Sequence, residues 1–313
     1  MSGSHGNKAI IAAFFANLGI AIAKFVAFIL TGAASMLAES IHSLADSGNQ
    51  GLLLLGGRKA GRPPSERHPF GYARERYFWA FVVALVLFSM GGLFALYEGI
   101  EKLRQPHKLE SPSIAIGVLI FAILLEAWSL RTAVVETNKV KRPDESYWHF
   151  IKRSKVPELP VVLLEDVGAM VGLVLALAGV VLATITGVER FDAVGSVGIG
   201  ILLVVIALVL AVEMKSLLIG EAAEPHVTEA LRAAITAGPE VTRVLNLRTL
   251  QLGPDDVLVA AKVELSVNAD SPGDVARAID LTEARMRSAC PAARLIFLEP
   301  DILRPEATPA PAT

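Results

Sequence analysis

The sequence is poor in cysteine. Cys290 is the only one among 313 residues, so no disulfide can close within the chain and nothing argues for an oxidising compartment. An excess of charge is also missing. A formal net charge of −2 offers no basic surface for nucleic acid, which is therefore not expected as a partner. Two catalytic signatures are absent as well: there is no GxxxxGK[ST] and no HExxH. That removes a P-loop ATPase and a zinc protease from consideration.

What the chain has in quantity is apolar length. Hydrophobic residues make up 53%, charged residues 19%, and the mean hydropathy is +0.53, a balance that fits a multi-span membrane protein. Six apolar stretches lie at about 8–30, 35–57, 76–101, 112–136, 159–186 and 189–219. Each is long enough to cross ~30 Å of hydrocarbon as a helix, the form that satisfies its own backbone there. The first contains Asn17 and Lys24 and reads as an uncleaved span, not a signal peptide.

Arg58, Lys59, Arg62, Arg67, Arg74 and Arg76 cluster between the second and third stretches. Lys139, Lys141, Arg142, Lys152, Arg153 and Lys155 cluster between the fourth and fifth, while the link between the first two holds no Lys or Arg. The positive-inside rule then places both termini in the cytoplasm. No long Arg/Ser-rich segment precedes the first stretch, so the expected location is the cell (inner) membrane of a prokaryote. Tyr77/Trp79 and Tyr147/Trp148 are expected as interface anchors.

After Glu221 the composition becomes that of a soluble domain. Residues 225–237 read as a helix opened by Pro225, 241–252 and 256–267 as strands around the turn signal GPDD, 271–289 as a helix, and 293–299 as a strand. The order α-β-β-α-β predicts a small ferredoxin-like α+β domain with one sheet face open for packing. The expected organisation is a six-helix transmembrane domain at 1–220, a cytoplasmic α+β domain at 221–302, and a Pro/Ala-rich disordered tail at 303–313.

Inside the second stretch, ESIHSLADSGNQ (39–50) sets Glu39, His42, Asp46 and Asn49 in hydrocarbon, where ionisable groups need a reason. At ~100° per residue, Asp46 lies ~40° from His42, Asn49 ~20° to its other side and Glu39 ~60° away. A His and an Asp one turn apart can share one divalent ion. The bland alternative is polar glue between helices; four such residues in one stripe favour the ion. The other deep acids are Glu165 and Asp166. As neighbours they point ~100° apart, so one is expected to face the second stretch and the other to serve elsewhere. Glu126, Glu98 and Glu101 read as isolated or less deep. His68 reads as a turn residue, and His5, His107, His149 and His226 have no ligand partners at useful spacing.

With SMLAESIHSLADS, HPFGYARER, FDAVGSVGIGILL and LLIGEAAEP in place ahead of the α-β-β-α-β domain, the chain resembles the cation diffusion facilitator family over nearly its whole length. ADSGNQGLLLLG and VVLLEDVGAM look most like the branch containing a mitochondrial zinc transporter of animals. The resemblance implies an antiporter, not an enzyme, exporting a divalent metal in exchange for protons, with the metal as cargo and no resident cofactor. It implies a homodimer joined through the cytoplasmic domain and membrane helices.

In that family, two metal ligands come from the second helix and two from the fifth. His42, Asp46 and Asp166 match three of them. Val162 stands where the fourth, a His, is usual, leaving Glu165 or Asn49 as substitutes. An oxygen-richer set relaxes a zinc preference toward Mn²⁺, Fe²⁺ or Co²⁺. In the cytoplasmic domain only Glu299 remains as a metal candidate, and it reads as a solvated strand-end acid. Rival classes are a membrane metal sensor or scaffold that does not turn over, and an intramembrane hydrolase using Asp46 and Asp166 as an acid–base dyad.

Overall fold

The computed structural model describes residues 3–31, 34–105, 112–266 and 271–302; within its helices the side chains of 3–6, 30, 31, 34–39, 41, 42 and 45 lie outside the description. The chain divides into two compact units, Met1–Leu218 and Ile219–Thr313.

The first unit is helical. Its helices are α1 (Gly3–Thr31), α2 (Ala34–Ala60), α3 (Glu75–Val86), α4 (Phe94–Arg104), α5 (Pro112–Val140), α6 (Tyr147–Arg153), α7 (Glu158–Thr186) and α8 (Arg190–Ile219), with a π-helical segment, Leu87–Leu93, joining α3 to α4. Among the described residues, five helical spans are long and apolar enough to cross a membrane: Asn7–Ile29, Glu75–Arg104, Pro112–Val140, Glu158–Thr186 and Arg190–Ile219. Of the six expected stretches, the one not among them is α2. It has 27 residues, but Ser40, Ser43, Asp46, Ser47, Asn49 and Gln50 dilute its apolar character.

The buried face of α5 repeats every three or four residues, through Leu119, Ala122, Glu126, Ser129, Ala133, Glu136 and Thr137. Outward positions such as Phe121, Leu124 and Trp128 are exposed apolar side chains, the pattern of a helix whose solvent on that side is lipid. Glycines set the approach of α8. A Cβ on Gly200 would lie 2.6 Å from the Leu96 backbone nitrogen, one on Gly99 2.7 Å from that of Val197, and one on Gly92 2.6 Å from a Val204 methyl. Only hydrogen fits at these crossings.

The α3 and α7 ends are joined by a buried ion pair: Arg76 Nε and Nη2 donate to the two Glu158 oxygens at 2.5 and 2.8 Å. Beside it Tyr77, fully buried, donates its hydroxyl to the Lys155 carbonyl at 3.1 Å. Tyr77 is thus a core residue and not the interface anchor expected of it; its place in the helix period turns it inward. Tyr147 and Trp148 are exposed, with Lys141 and Lys152 over their rings.

The second unit has α9 (Pro225–Thr236), β1 (Val241–Gly253), β2 (Asp256–Leu265), α10 (Pro272–Ala289) and β3 (Ala293–Pro300). Pro225 opens α9, and Ser271 caps α10 by accepting from the Asp274 N–H, both helix-start devices. The strand order is β1-β2-β3, with β1 antiparallel and β3 parallel to β2. Strict alternation along β2 buries Val257, Val259, Ala261 and Val263 on the face covered by Leu231, Ile235 and Met286 of the helices. Cys290 is free and buried. On the strand β3, Phe297 is exposed.

Candidate functional site

A polar layer crosses the interior of the helical unit, contributed by α1, α2, α5 and α7. Glu165, 6% exposed, accepts from Asn49 Nδ2 at 3.1 Å and from Gln50 Nε2 at 2.9 Å. Asp166, 1% exposed, turns the other way and accepts from Ser129 Oγ of α5 at 2.8 Å. The two neighbouring acids of α7 therefore face different helices, as ~100° of rotation requires: Glu165 faces α2 and Asp166 faces α5. Glu126 lies one turn before Ser129 on the same face of α5. It is buried and within electrostatic reach of Asp166, Glu165, Asp46 and Lys24. Asp46 also acts on Glu165. From α1, buried Lys24 donates to Ser43 Oγ at 3.3 Å, and Ser40 Oγ of α2 donates to the Ala21 carbonyl at 2.9 Å.

Three buried acids, Glu126, Glu165 and Asp166, and the half-buried Asp46 thus share this layer with one lysine among the described residues. Among the described residues, the layer's buried side-chain atoms without a hydrogen-bond partner are Asn49 Oδ1, Gln50 Oε1 and Glu126 Oε1. All three are oxygens. Atoms of that kind are satisfied by a donor or a cation, and burying them without either is costly.

Of the expected site residues, the structure brings Asn49 and Glu165 into direct contact and sets Asp46 and Asp166 in the same layer. The side chains of Glu39 and His42 lie outside the described residues. Among the described residues, no three His, Cys, Asp or Glu side chains converge closely enough to hold one metal ion. Val162 is fully buried in the apolar cluster with Tyr77, Val83 and Leu210, so its position contributes no ligand.

Glu126 is a correction: it is neither isolated nor less deep. Its signal in the sequence is an acid in the middle of FAILLEAWSLRT, with no partner near it along the chain. Lys24 and Gln50 are further members of the layer that no local pattern singles out. Elsewhere, His68 stands in a turn closed by hydrogen bonds with Ser65, its ring against Tyr72. His149 and His226 lie beside Glu145 and Glu224. Glu299 pairs with Lys262 at 3.0 Å on the surface.

A family model described as the cation efflux transmembrane domain matches residues 10–219. The chain belongs to the cation efflux family. It is accordingly a multi-pass membrane protein of a transporter family and not an enzyme, which disposes of the hydrolase dyad. Among its relatives is the proton-coupled zinc antiporter SLC30A9, mitochondrial, of Mus musculus, 33% identical over 242 residues, covering 77% of this chain and 43% of the relative. The Homo sapiens protein of that name matches to the same extent. Metal tolerance protein C4 of Arabidopsis thaliana is 27% identical over 266 residues, covering 84% of this chain and 58% of the relative. Zinc transporter ZitB of Pectobacterium atrosepticum is 28% identical over 254 residues, covering 80% and 73%. The chain thus spans less than half the length of the SLC30A9 antiporters it matches.

Proposed function

We propose that this cation efflux protein exports a divalent metal ion, zinc first, across a membrane in exchange for protons. The observation that carries the reading is the acid layer of buried Glu126, Glu165 and Asp166 with half-buried Asp46, and the unpartnered Glu126 Oε1 within it. Such a concentration of negative charge in an apolar bundle is useful to a membrane protein chiefly as a cation path. Relatives named as a proton-coupled zinc antiporter, a zinc transporter and a cation-efflux pump support the choice of cargo and counter-ion.

In this reading α2 is the sixth span, its polar stripe turned into the bundle. Both termini are cytoplasmic, on the side of the Arg/Lys-rich connections, and the membrane is a bacterial-type inner membrane or its mitochondrial counterpart. The ion meets His42, Asp46 and Asp166 near the midplane. Because ligands bind metal deprotonated, loading releases protons and reprotonation from the far side expels the ion. Imidazole is the side-chain type that exchanges protons near neutral pH, which makes His42 the proton exchanger in this reading. Rocking of the helices alternates access. The ferredoxin-like cytoplasmic domain joins two copies, with Phe297 part of the open face. Asn49 and Glu165, bonded to each other, hold α2 against α7.

The test is flux of Zn²⁺, Mn²⁺, Co²⁺ and Fe²⁺ into proteoliposomes under an imposed pH gradient, for the wild type and Asp46→Ala. Gradient-driven movement that Asp46→Ala abolishes is the expected result. Metal binding with no movement in any gradient would replace the transporter by a sensor or scaffold.

A further inference from the structure

We propose that Glu126 on α5 is a further protein ligand for the transported cation, supplying the donor that Val162 cannot. The inference rests on the transport reading above and adds a third helix to the site.

Of the two substitutes on α2 and α7, Glu165 already has an amide donor on each oxygen, from Asn49 and Gln50, and ion binding would compete with those bonds. Asn49 has its Oδ1 without a hydrogen-bond partner, but that is a neutral amide oxygen and brings no charge to the ion. Glu126 offers a carboxylate instead. It is 1% exposed and its Oε1 has no hydrogen-bond partner. It is set one helical turn from the serine that holds Asp166, and Asp166 is the charge that acts on it most strongly. A buried carboxylate oxygen left unpaired is costly in a folded protein, and a divalent ion shared with Asp166 and Asp46 removes that cost. The described carboxylates do not converge on one point, so binding the ion requires α5 and α7 to draw together around it.

The chemistry follows from the donor types. Three carboxylates and at most one imidazole make an oxygen-rich set, which suits Mn²⁺ and other hard divalent ions better than a two-His, two-Asp set does. Glu126 is then where ion preference can be changed, because a nitrogen donor there favours zinc.

The experiment measures Zn²⁺ and Mn²⁺ binding calorimetrically, and flux in proteoliposomes, on the full chain. The variants are Glu126→Gln, Glu126→His, Glu165→Gln, Asp46→Ala and Asp166→Asn. Glu126→Gln is expected to weaken both ions by at least about 10-fold, since even outer-shell losses cost 10–100-fold in metal affinity. Glu126→His is expected to regain Zn²⁺ but not Mn²⁺, moving the Zn²⁺/Mn²⁺ ratio by about 10-fold or more, which a residue that merely supports the fold would not do. Glu165→Gln keeps the wild-type ratio. If Glu126→Gln fails to fold, the ratio in Glu126→His decides. Wild-type affinities in Glu126→Gln, or an unchanged ratio in Glu126→His, overturn the inference while Asp46→Ala and Asp166→Asn still lose binding. If those two also bind as the wild type does, the transport site itself is misplaced and both readings fall.

Discussion

The ion pair between Arg76 and Glu158 can be tested quantitatively. Two hydrogen bonds, 2.5 and 2.8 Å long, join side chains that are 12% and 4% exposed. Replacing Arg76 by Leu deletes both bonds and leaves Glu158 buried without its cation, a change worth about 3–5 kcal/mol. On the size scaling of soluble domains of 150–250 residues, at about 2–4 °C per kcal/mol, that lowers the unfolding midpoint by roughly 6–20 °C. Arg76→Leu combined with Glu158→Leu removes the stranded charge along with its partner. Apolar replacement of a whole buried pair is often neutral, so the double variant should recover most of the loss. The assay is thermal unfolding in detergent for wild type, both single variants and the double, read as a double-mutant cycle. A coupling below about 1 kcal/mol would be that of an exposed surface pair, and would refute the argument that this contact is a buried clamp between α3 and α7.

Two further predictions concern packing and pH. Gly200→Val puts a Cβ 2.6 Å from the Leu96 backbone nitrogen, which cannot retreat as a side chain can; a loss of about 1–3 kcal/mol is expected. Gly117→Ala, with nothing within 4 Å, should be neutral or stabilise α5 by up to about 1 kcal/mol, and equal effects at the two sites in thermal unfolding would contradict the close-crossing argument. Outside the spans, the Arg153 guanidinium donates to both oxygens of Glu145 at 2.7 and 2.8 Å and holds that carboxyl below its usual range. A carboxyl lowered by folding stabilises above its unfolded pKa, and the benefit disappears as pH falls through the folded value. Glu145→Gln should therefore be less stable than wild type at neutral pH and converge with it below about pH 4; a gap that stays constant on acidification would disprove the assignment.

Elements governed by local rules were readable from the chain. The second unit follows α-β-β-α-β because Pro225, Ser271 and GPDD are strong start and turn signals, and because β2 alternates without interruption. The apolar spans are readable from length. The site divides differently. The stripe on α2 and the divergence of Glu165 from Asp166 are consequences of helix geometry, which the sequence carries directly. Which of the two acids turns toward α2 depends on where Asn49, Gln50 and Ser129 sit, and those partners are 116, 115 and 37 residues away. Glu126 shows the limit most plainly: surrounded by Leu and Ala in sequence, it acquires its charged neighbours only through the packing of α1, α2 and α7 around α5. Tyr77 differs for the same reason, since an aromatic residue near a span's end resembles an anchor until its helix face is known.

The π-helical segment at Leu87–Leu93 gives this span a spare residue. A π turn holds one amino acid more than the α turn it replaces, here signed by the Phe94 N–H reaching back five positions to the Ser89 carbonyl. Removing one residue from the segment therefore need not break the helix; it can close into regular α geometry. The deletion would leave everything beyond it facing as before, with Gly99 still against Val197; straightening the unchanged sequence into α-helix would instead turn it by ~100° and swing a larger neighbour into the crossing. The surplus residue works as a phase shifter. It lets one continuous span present Tyr77, Ala80 and Val83 to the apolar core at one end and its glycines to α8 at the other, two alignments that a uniform α-helix of this sequence could not keep together.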